Sequence, residues 1–460
     1  MGKVLLVFSI IVSAVFLSAF LTLVHTGTSS ATGWQDQPAA FESAESSDPA
    51  TIVVEFTATN RLVRQINLTT TVSGIEALQR TGLHIVTKDF GFAIAVCSIE
   101  GVGCPEDTCF CNSSNFWNHE YWKGSSWQHQ TPGTNVSPGA IEGWRWGEWN
   151  AEPIPPAPQL IAAFNALEWF RSQQSPNGSY GSGSGCSISS SVDALITLGA
   201  NNLDADEWRK GPDLPTLMDF IAQNGECYAN NNASSAGKLA VGLIGSGACW
   251  PNSGVKPSDY YSSSTGIMQA WSGPQSWAIL GSLALSESIP APAIDYLKNL
   301  VKPNGAWEWQ NGLGTDTNTT ALVIQTLIAY GEPIDSNIVI SGLQYLKSAQ
   351  NRDGGITYDP FSPWGTDSDA NSTAFAIQAI VAAGQDPLTG TWLMTNTSPI
   401  TYLMSLQMPN GAFLWQSNDT SANLLSTQQA IAALLRRPYP FRIGLLPECP
   451  AYVHLPLVIK

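Results

Sequence analysis

The sequence predicts a mainly α fold, about six helical hairpins in series preceded by a small α+β domain. Three observations carry this. A turn built on Gly recurs in register from about Gln159 to Arg437, an alternating apolar pattern runs through the residues after Pro49, and a Pro-rich stretch, Glu152-Pro-Ile-Pro-Pro-Ala-Pro158, separates the two.

At the start, Lys3 precedes an apolar run from Val4 to Val24. The run is long for a secretory signal and just long enough to span a bilayer, so residues 1–31 are expected to be a signal peptide or a signal anchor, with Ser29-Ser-Ala31 as the cleavage candidate. Residues 32–49 read as a flexible spacer. The chain is therefore expected to be secreted or held at the cell surface, with membrane contact only through that N-terminal segment. Few residues are charged, yet the net charge is −16. Phosphate backbones and anionic membranes would be repelled, which excludes nucleic acid as a partner.

Residues 50–149 switch to a period near 2. Thr51 to Phe56, Arg61 to Thr69 and Gly91 to Val96 read as strands, and Gly74 to Arg80 as a helix between them. The ββαβ order suggests a β-grasp-like domain. Its second half carries Phe116, Trp117, Tyr121, Trp122, Trp127, Trp144, Trp146 and Trp149. A small interior cannot take all of these rings, so some are expected on a surface able to stack on a flat or apolar ligand. His119 and His129 lie among them as surface residues or metal ligands.

Cys97, Cys104, Cys109 and Cys111 lie close together, Cys186, Cys227 and Cys249 fall in the early repeats, and Cys449 stands near the end. In an oxidising compartment disulfides are the expected state, and a four-thiolate metal site is the alternative for the first cluster.

After the linker, residues 150–158, the repeats occupy residues 159–437. The best turns are Gln174-Ser-Pro-Asn-Gly178-Ser-Tyr180, Gln350-Asn-Arg-Asp-Gly354-Gly-Ile-Thr-Tyr358 and Gln407-Met-Pro-Asn-Gly411-Ala-Phe413, with Lys302-Pro-Asn-Gly305-Ala-Trp307 as a fourth. Asn-Gly and Asp-Gly supply the positive φ of such a turn, and the aromatic packs back over the helix end. Asp316 to Gln325 and Asp369 to Gln378 then repeat a polar start followed by an apolar helix with an interior Gln, and Asp419 to Gln428 does so more loosely. Asp316 and Asp369 are N-cap candidates. Gln325 and Gln378, inside apolar helices, need a partner from a water, a neighbouring repeat or a ligand. Residues 438–460 form a C-terminal tail with no assigned role.

These turns resemble the repeat of squalene and oxidosqualene cyclases and of protein prenyltransferase β subunits. The resemblance implies an (α/α)6 toroid, with weaker repeats at Leu214 to Gly245 and Ser258 to Leu285. The residues after Pro49 resemble the small β domain that closes over cobalamin in transcobalamin and intrinsic factor, through Gly91 to Gly101, Phe116-Trp117 to Trp122, and Gly139 to Trp146. In those carriers the ring comes first; here the order is reversed.

The catalytic groups of the cyclase family are not all present. The Asp-x-Asp-Asp acid is approached by Asp367-Ser-Asp369-Ala370, without its last Asp. No His occurs between His129 and His454, which removes a zinc site or a Ser-His pair from the repeats. A glycosidase would need an opposed pair among Asp193, Glu308, Asp316, Asp359, Asp367 and Asp369. The expectation is therefore a non-catalytic, exported binding protein, with no catalytic residues, no metal and no resident cofactor. By resemblance its ligand is a corrinoid such as cobalamin, gripped between ring and β domain and passed to a membrane transporter. Asp316, Asn318, Gln325, Asp369, Asn371 and Gln378 would meet carboxamides, Trp307 and Tyr358 would line the rim, and Trp117, Tyr121 and Trp122 would cover the exposed face. A cyclase, prenyltransferase-like or polysaccharide-cleaving enzyme on the same ring is the alternative, and surface adhesion the third.

Overall fold

The computed structural model describes residues 49–441 apart from 58, 59, 69, 124, 125, 153–157, 202, 212, 251–253 and 364. The expected signal segment, the spacer apart from Pro49, most of the linker, Cys449 and most of the tail lie outside the described residues.

The β region has strands β1 (Pro49–Thr57), β2 (Asn60–Asn67), β3 (Val72–Ser73), β4 (Ile85–Asp89), β5 (Ile94–Ile99), β6 (Val102–Gly103), β7 (Phe116–Trp122), β8 (Trp127–Gln130), β9 (Asn135–Val136) and β10 (Ile141–Gly147), with helix α1 (Gly74–Gln79) between β3 and β4. The main sheet has the order β2-β1-β10-β7-β8, and β1 runs parallel to β10. Ile52, Val54, Leu68, Leu78, Ile99 and Trp144 fill the core under it. The strand expected at Gly91 begins later, because Gly91 at φ 82 and Phe92 form the turn of a β4–β5 hairpin. Cys97–Cys109 and Cys104–Cys111 brace the adjoining loop, and Cys186–Cys227 ties the first repeats. The four clustered cysteines are thus disulfides.

Among the described residues eleven helices follow: α2 (Pro158–Ser172), α3 (Ser189–Ala200), α4 (Leu217–Ala229), α5 (Ala233–Gly245), α6 (Ser272–Ala284), α7 (Ala291–Asn299), α8 (Thr317–Tyr330), α9 (Asn337–Ser348), α10 (Ala370–Ala382), α11 (Pro399–Ser405) and α12 (Leu424–Leu434). Each of α3, α5, α6, α8, α10 and α12 packs on the next, and α12 packs back on α3. Helices α2, α4, α7, α9 and α11 lie outside this circle. Between α5 and α6 a single 3-10 turn, Pro257–Tyr260, takes the outer helix's place. The repeat expected from Ser258 to Leu285 thus keeps its inner helix α6, and its outer helix is reduced to one turn.

The repeated residues explain the stacking. Gln174, Gln350 and Gln407 each donate Nε2 to the Gly carbonyl four residues on, at 2.9–3.1 Å. Each also donates to a carbonyl of a neighbouring segment: Trp208, Trp392 and Ala162 respectively. The last of these ties the final turn to α2 and closes the circle. Tyr180, Trp307, Ile356 and Phe413, all fully buried, donate their backbone N–H to Ser191, Thr320, Thr373 and Thr427 near the start of the following inner helix. In the third turn the packed residue is thus Ile356, and the expected aromatic Tyr358 lies outside it, 45% exposed. The Gly281 position on α6 faces Gly237 of α5 so closely that a Cβ would come within 2.3 Å of the Gly237 Cα.

Candidate functional site

Asp316, Asp369 and Asn423 cap α8, α10 and α12 by accepting from Thr319, Ser372 and Ser426 backbone N–H groups. The third cap is Asn423, not the loosely matched Asp419. Asp316 also accepts from Thr319 Oγ1 and Tyr358, and Asp369 from Ser372 Oγ and Trp415. Burial raises both carboxyls, Asp316 to about 6, and the surrounding donors oppose the shift. Neither is open as a ligand group: Asp316 is 2% and Asp369 4% exposed.

One turn further on, each inner helix presents a face to the axis of the circle. On α8 this face carries Asn318, Leu322 and Gln325, and on α10 Asn371, Phe375 and Gln378, spaced three or four apart as a helical stripe requires. The remaining helices contribute Ile196 and Ala200, Val241 and Ile244, Trp277 and Leu280, and Ala432, all in one apolar cluster.

The segment after α12 turns into this axis. Tyr439 donates its backbone N–H to Gln325 Oε1 at 3.0 Å, and Gln378 Nε2 donates to the Arg437 carbonyl at 2.7 Å. Gln378 thus finds its partner in the last residue of the repeat region, and Gln325 in Tyr439, at the start of the segment read as a tail. The Tyr439 ring lies 5.2 Å from Trp277, 6.3 Å from Phe375 and 5.2 Å from Phe441. One end of the axis is therefore closed, and burial drives the Tyr439 hydroxyl pKa upward.

At the opposite end, where the inner helices begin, Lys238 of α5 meets Asp193 of α3 at 2.7 Å, both still 17–18% exposed. Burial alone would depress the Lys238 ammonium; Asp193 outweighs it and the pKa rises. The ammonium also lies 5.7 Å from the centre of the Trp277 ring. Trp309 packs on Gly273 at the start of α6 and joins the axial cluster. Asn371 is committed to Gln429 and Ser426, whereas the buried Asn318 Oδ1 has no partner. The axis thus gathers the rings of Trp277, Phe375 and Tyr439, the Lys238–Asp193 ion pair and one orphan amide oxygen.

Of the residues expected from sequence, Asn318, Gln325, Asn371 and Gln378 come together on the axis. Trp307 is sealed in the wall, with Nε1 donating to Leu297 O. Trp117 is sealed in the β core, with Nε1 donating to Val102 O. Tyr121 and Trp122 are half-buried on β7. The β region meets the ring through Arg64, whose Nη1 donates to the carbonyl of Asn201 at the end of α3, the closed end of the axis. Desolvation there lowers Arg64 to about 10. This contact is remote from Lys238 and Asp193, so it does not bring the β region over that end of the axis. His119 is buried against Glu142 at 2.7 Å and stacks on Trp144, and His129 pairs with Glu120 at 2.8 Å. Among the described residues no group of His, Cys, Asp and Glu could hold a metal, and no helix is long and apolar enough to cross a membrane.

Sequence reasoning missed Lys238, Trp277, Phe375 and Tyr439. Lys238 had a signal: it is the lone charge in the apolar helix Ala233–Gly245, and a buried charge requires a partner. Of the hydrolase candidates, Asp193 is tied to Lys238, and Glu308 to Lys302 at 2.8 Å and to the Gly312 and Gly314 N–H groups. A separate groove of about 520 Å³ beside α4, lined by Asn177, Pro215, Asp219, Phe220, Gln223 and Asn224, contains no expected site residue.

Residues 275–425 match the squalene-hopene cyclase C-terminal domain family. That window runs from α6 into α12, and the helical part of the chain has a cyclase-like fold. Similar solved structures include the type II terpene cyclase MstE from Scytonema, 11% identical, covering 60% of this chain and 98% of that one at a TM-score of 0.44. A protein from Actinoplanes is 13% identical with coverage of 60% and 98% and a TM-score of 0.41. The ent-copalyl diphosphate synthase from Streptomyces platensis is 13% identical with coverage of 60% and 50% and a TM-score of 0.32. Comparison with curated proteins finds no match.

Proposed function

We propose that this is an exported, cyclase-like ring protein that holds a prenoid-type organic molecule in a cup over the axial ring cluster and does not cyclise it. The carrying observation is the convergence of Trp277, Phe375 and Tyr439 beside the Lys238–Asp193 pair. Three rings offer an apolar bed, and the ion pair with Asn318 Oδ1 offers a place for a polar head. The choice of a prenoid over a corrinoid comes from the family matched by residues 275–425.

Catalysis is the second reading, favoured by the same match and by the raised Asp316 and Asp369 carboxyls. Against it, both oxygens of Asp369 accept hydrogen bonds from the α10 start, so neither is aimed into the cup as a proton donor.

Calorimetric titration with geranylgeraniol, squalene and cobalamin, each followed by mass spectrometry of the recovered ligand, tests this. Saturable prenoid binding with the ligand recovered unchanged is expected. A cyclised product lost in Asp369→Asn would establish an enzyme, binding of cobalamin alone would restore the corrinoid reading, and binding of none would favour adhesion.

A further inference from the structure

The β4–β5 hairpin breaks the usual rule for turn residues. Its tip, Phe90-Gly91-Phe92-Ala93-Ile94, is closed by the Phe90 N–H donating to Ala93 O, and Phe92 is 90% exposed where polar residues are the norm. Phe110 stacks on Phe90 at 5.5 Å from the loop held by Cys97–Cys109 and Cys104–Cys111. Contacts then continue from Phe110 to Phe116 at 6.1 Å and on to Trp149 at 6.2 Å. Phe110 is 57% and Trp149 69% exposed.

We propose that this disulfide-braced ridge inserts into the surface of an uncharged or zwitterionic lipid bilayer. A protruding apolar tip suits a soft apolar phase, and aromatic rings are favoured at the membrane–water interface. Two disulfides hold the rings in place beforehand, so little side-chain freedom is lost on insertion. Charge selects the lipid. Lys88 lies 5.4 Å from the Phe90 ring and donates to the Asp107 carbonyl, while Asp89, Glu106 and Asp107 flank the same tip. A headgroup bearing both signs meets complementary groups, whereas an anionic one meets three carboxylates and a chain of net charge −16. The apolar run Val4–Val24 expected from the sequence directs the chain to the same phase.

The test uses the full chain with benzoylphenylalanine at position 92, irradiated on phosphatidylcholine vesicles, with the same probe at Tyr330 as a control for general proximity. Position-specific adducts keep attachment through Val4–Val24 from counting as insertion. Lipid adducts at position 92 several-fold above those at position 330, reduced to the control level by Phe90→Ser with Phe110→Ser, are expected. Equal yields at the two positions, or a crosslinked dimer without lipid adducts, would overturn the proposal.

Discussion

Tyr439 donates its backbone N–H to Gln325 Oε1 at 3.0 Å, joining residues 114 apart in sequence on the axis of the helical circle. The two residues stabilise the axis in separable ways. Tyr439→Ala should lower stability by about 3–5 kcal/mol, the usual range for deleting an enclosed aromatic. Gln325→Leu leaves a buried N–H unpaired and should cost about 1–3 kcal/mol. Tyr439→Ala keeps the backbone N–H that Gln325 accepts, so urea unfolding of the double variant should show close to the sum of the two losses.

Ring closure rests on Gln407, which donates to Ala162 at 2.7 Å and to Gly411 at 3.0 Å. Gln407→Leu should cost about 1–3 kcal/mol. Hydrogen exchange should report the loss first in α2 and α11, while α5 and α6 stay protected. Uniform loss across the ring would contradict a local staple.

The Gly237–Gly281 contact sets the α5–α6 spacing. Gly281→Ala should cost at least about 1–3 kcal/mol, since the added methyl meets backbone rather than a movable side chain. A chain in which this substitution is neutral by thermal unfolding would not have the observed packing.

Asp316 predicts a pH dependence. Its folded-state carboxyl, at about 6, holds a proton more tightly than the ordinary carboxyl at 3.8. The stability it contributes is therefore complete below about pH 4 and is lost as pH rises to about 6, by at most roughly 3 kcal/mol. Asn caps helices equally well, so Asp316→Asn should remove that decline and be the more stable protein at pH 7. Parallel stability curves for the two proteins between pH 4 and 7 would contradict this.

The circle was legible because the Gln, Gly and aromatic positions each perform the same local job in successive repeats, and a job done in register leaves a periodic trace. Asn318 with Gln325 and Asn371 with Gln378 were legible for the same reason, lying seven apart on one helical face. Tyr439 was not, since a single residue after the last helix has no repeat to announce it. Tyr358 misled because the turn's packed position is filled by Ile356, and an exposed aromatic two residues later mimics the pattern. Trp117 and Trp307 were read toward the surface, but each indole N–H finds a buried carbonyl. A ring with a satisfied polar end need not reach solvent. In the β region the exposed rings include Phe92, Phe110 and Trp149 instead.

The proposed ligand lies against Trp277. Calorimetric titration of geranylgeraniol into the intact protein and into Trp277→Leu measures it most directly. Saturable binding weakened at least about tenfold by the substitution is expected, the loss from one buried aromatic surface. Equal affinity in a folded Trp277→Leu protein would place the ligand elsewhere and contradict it.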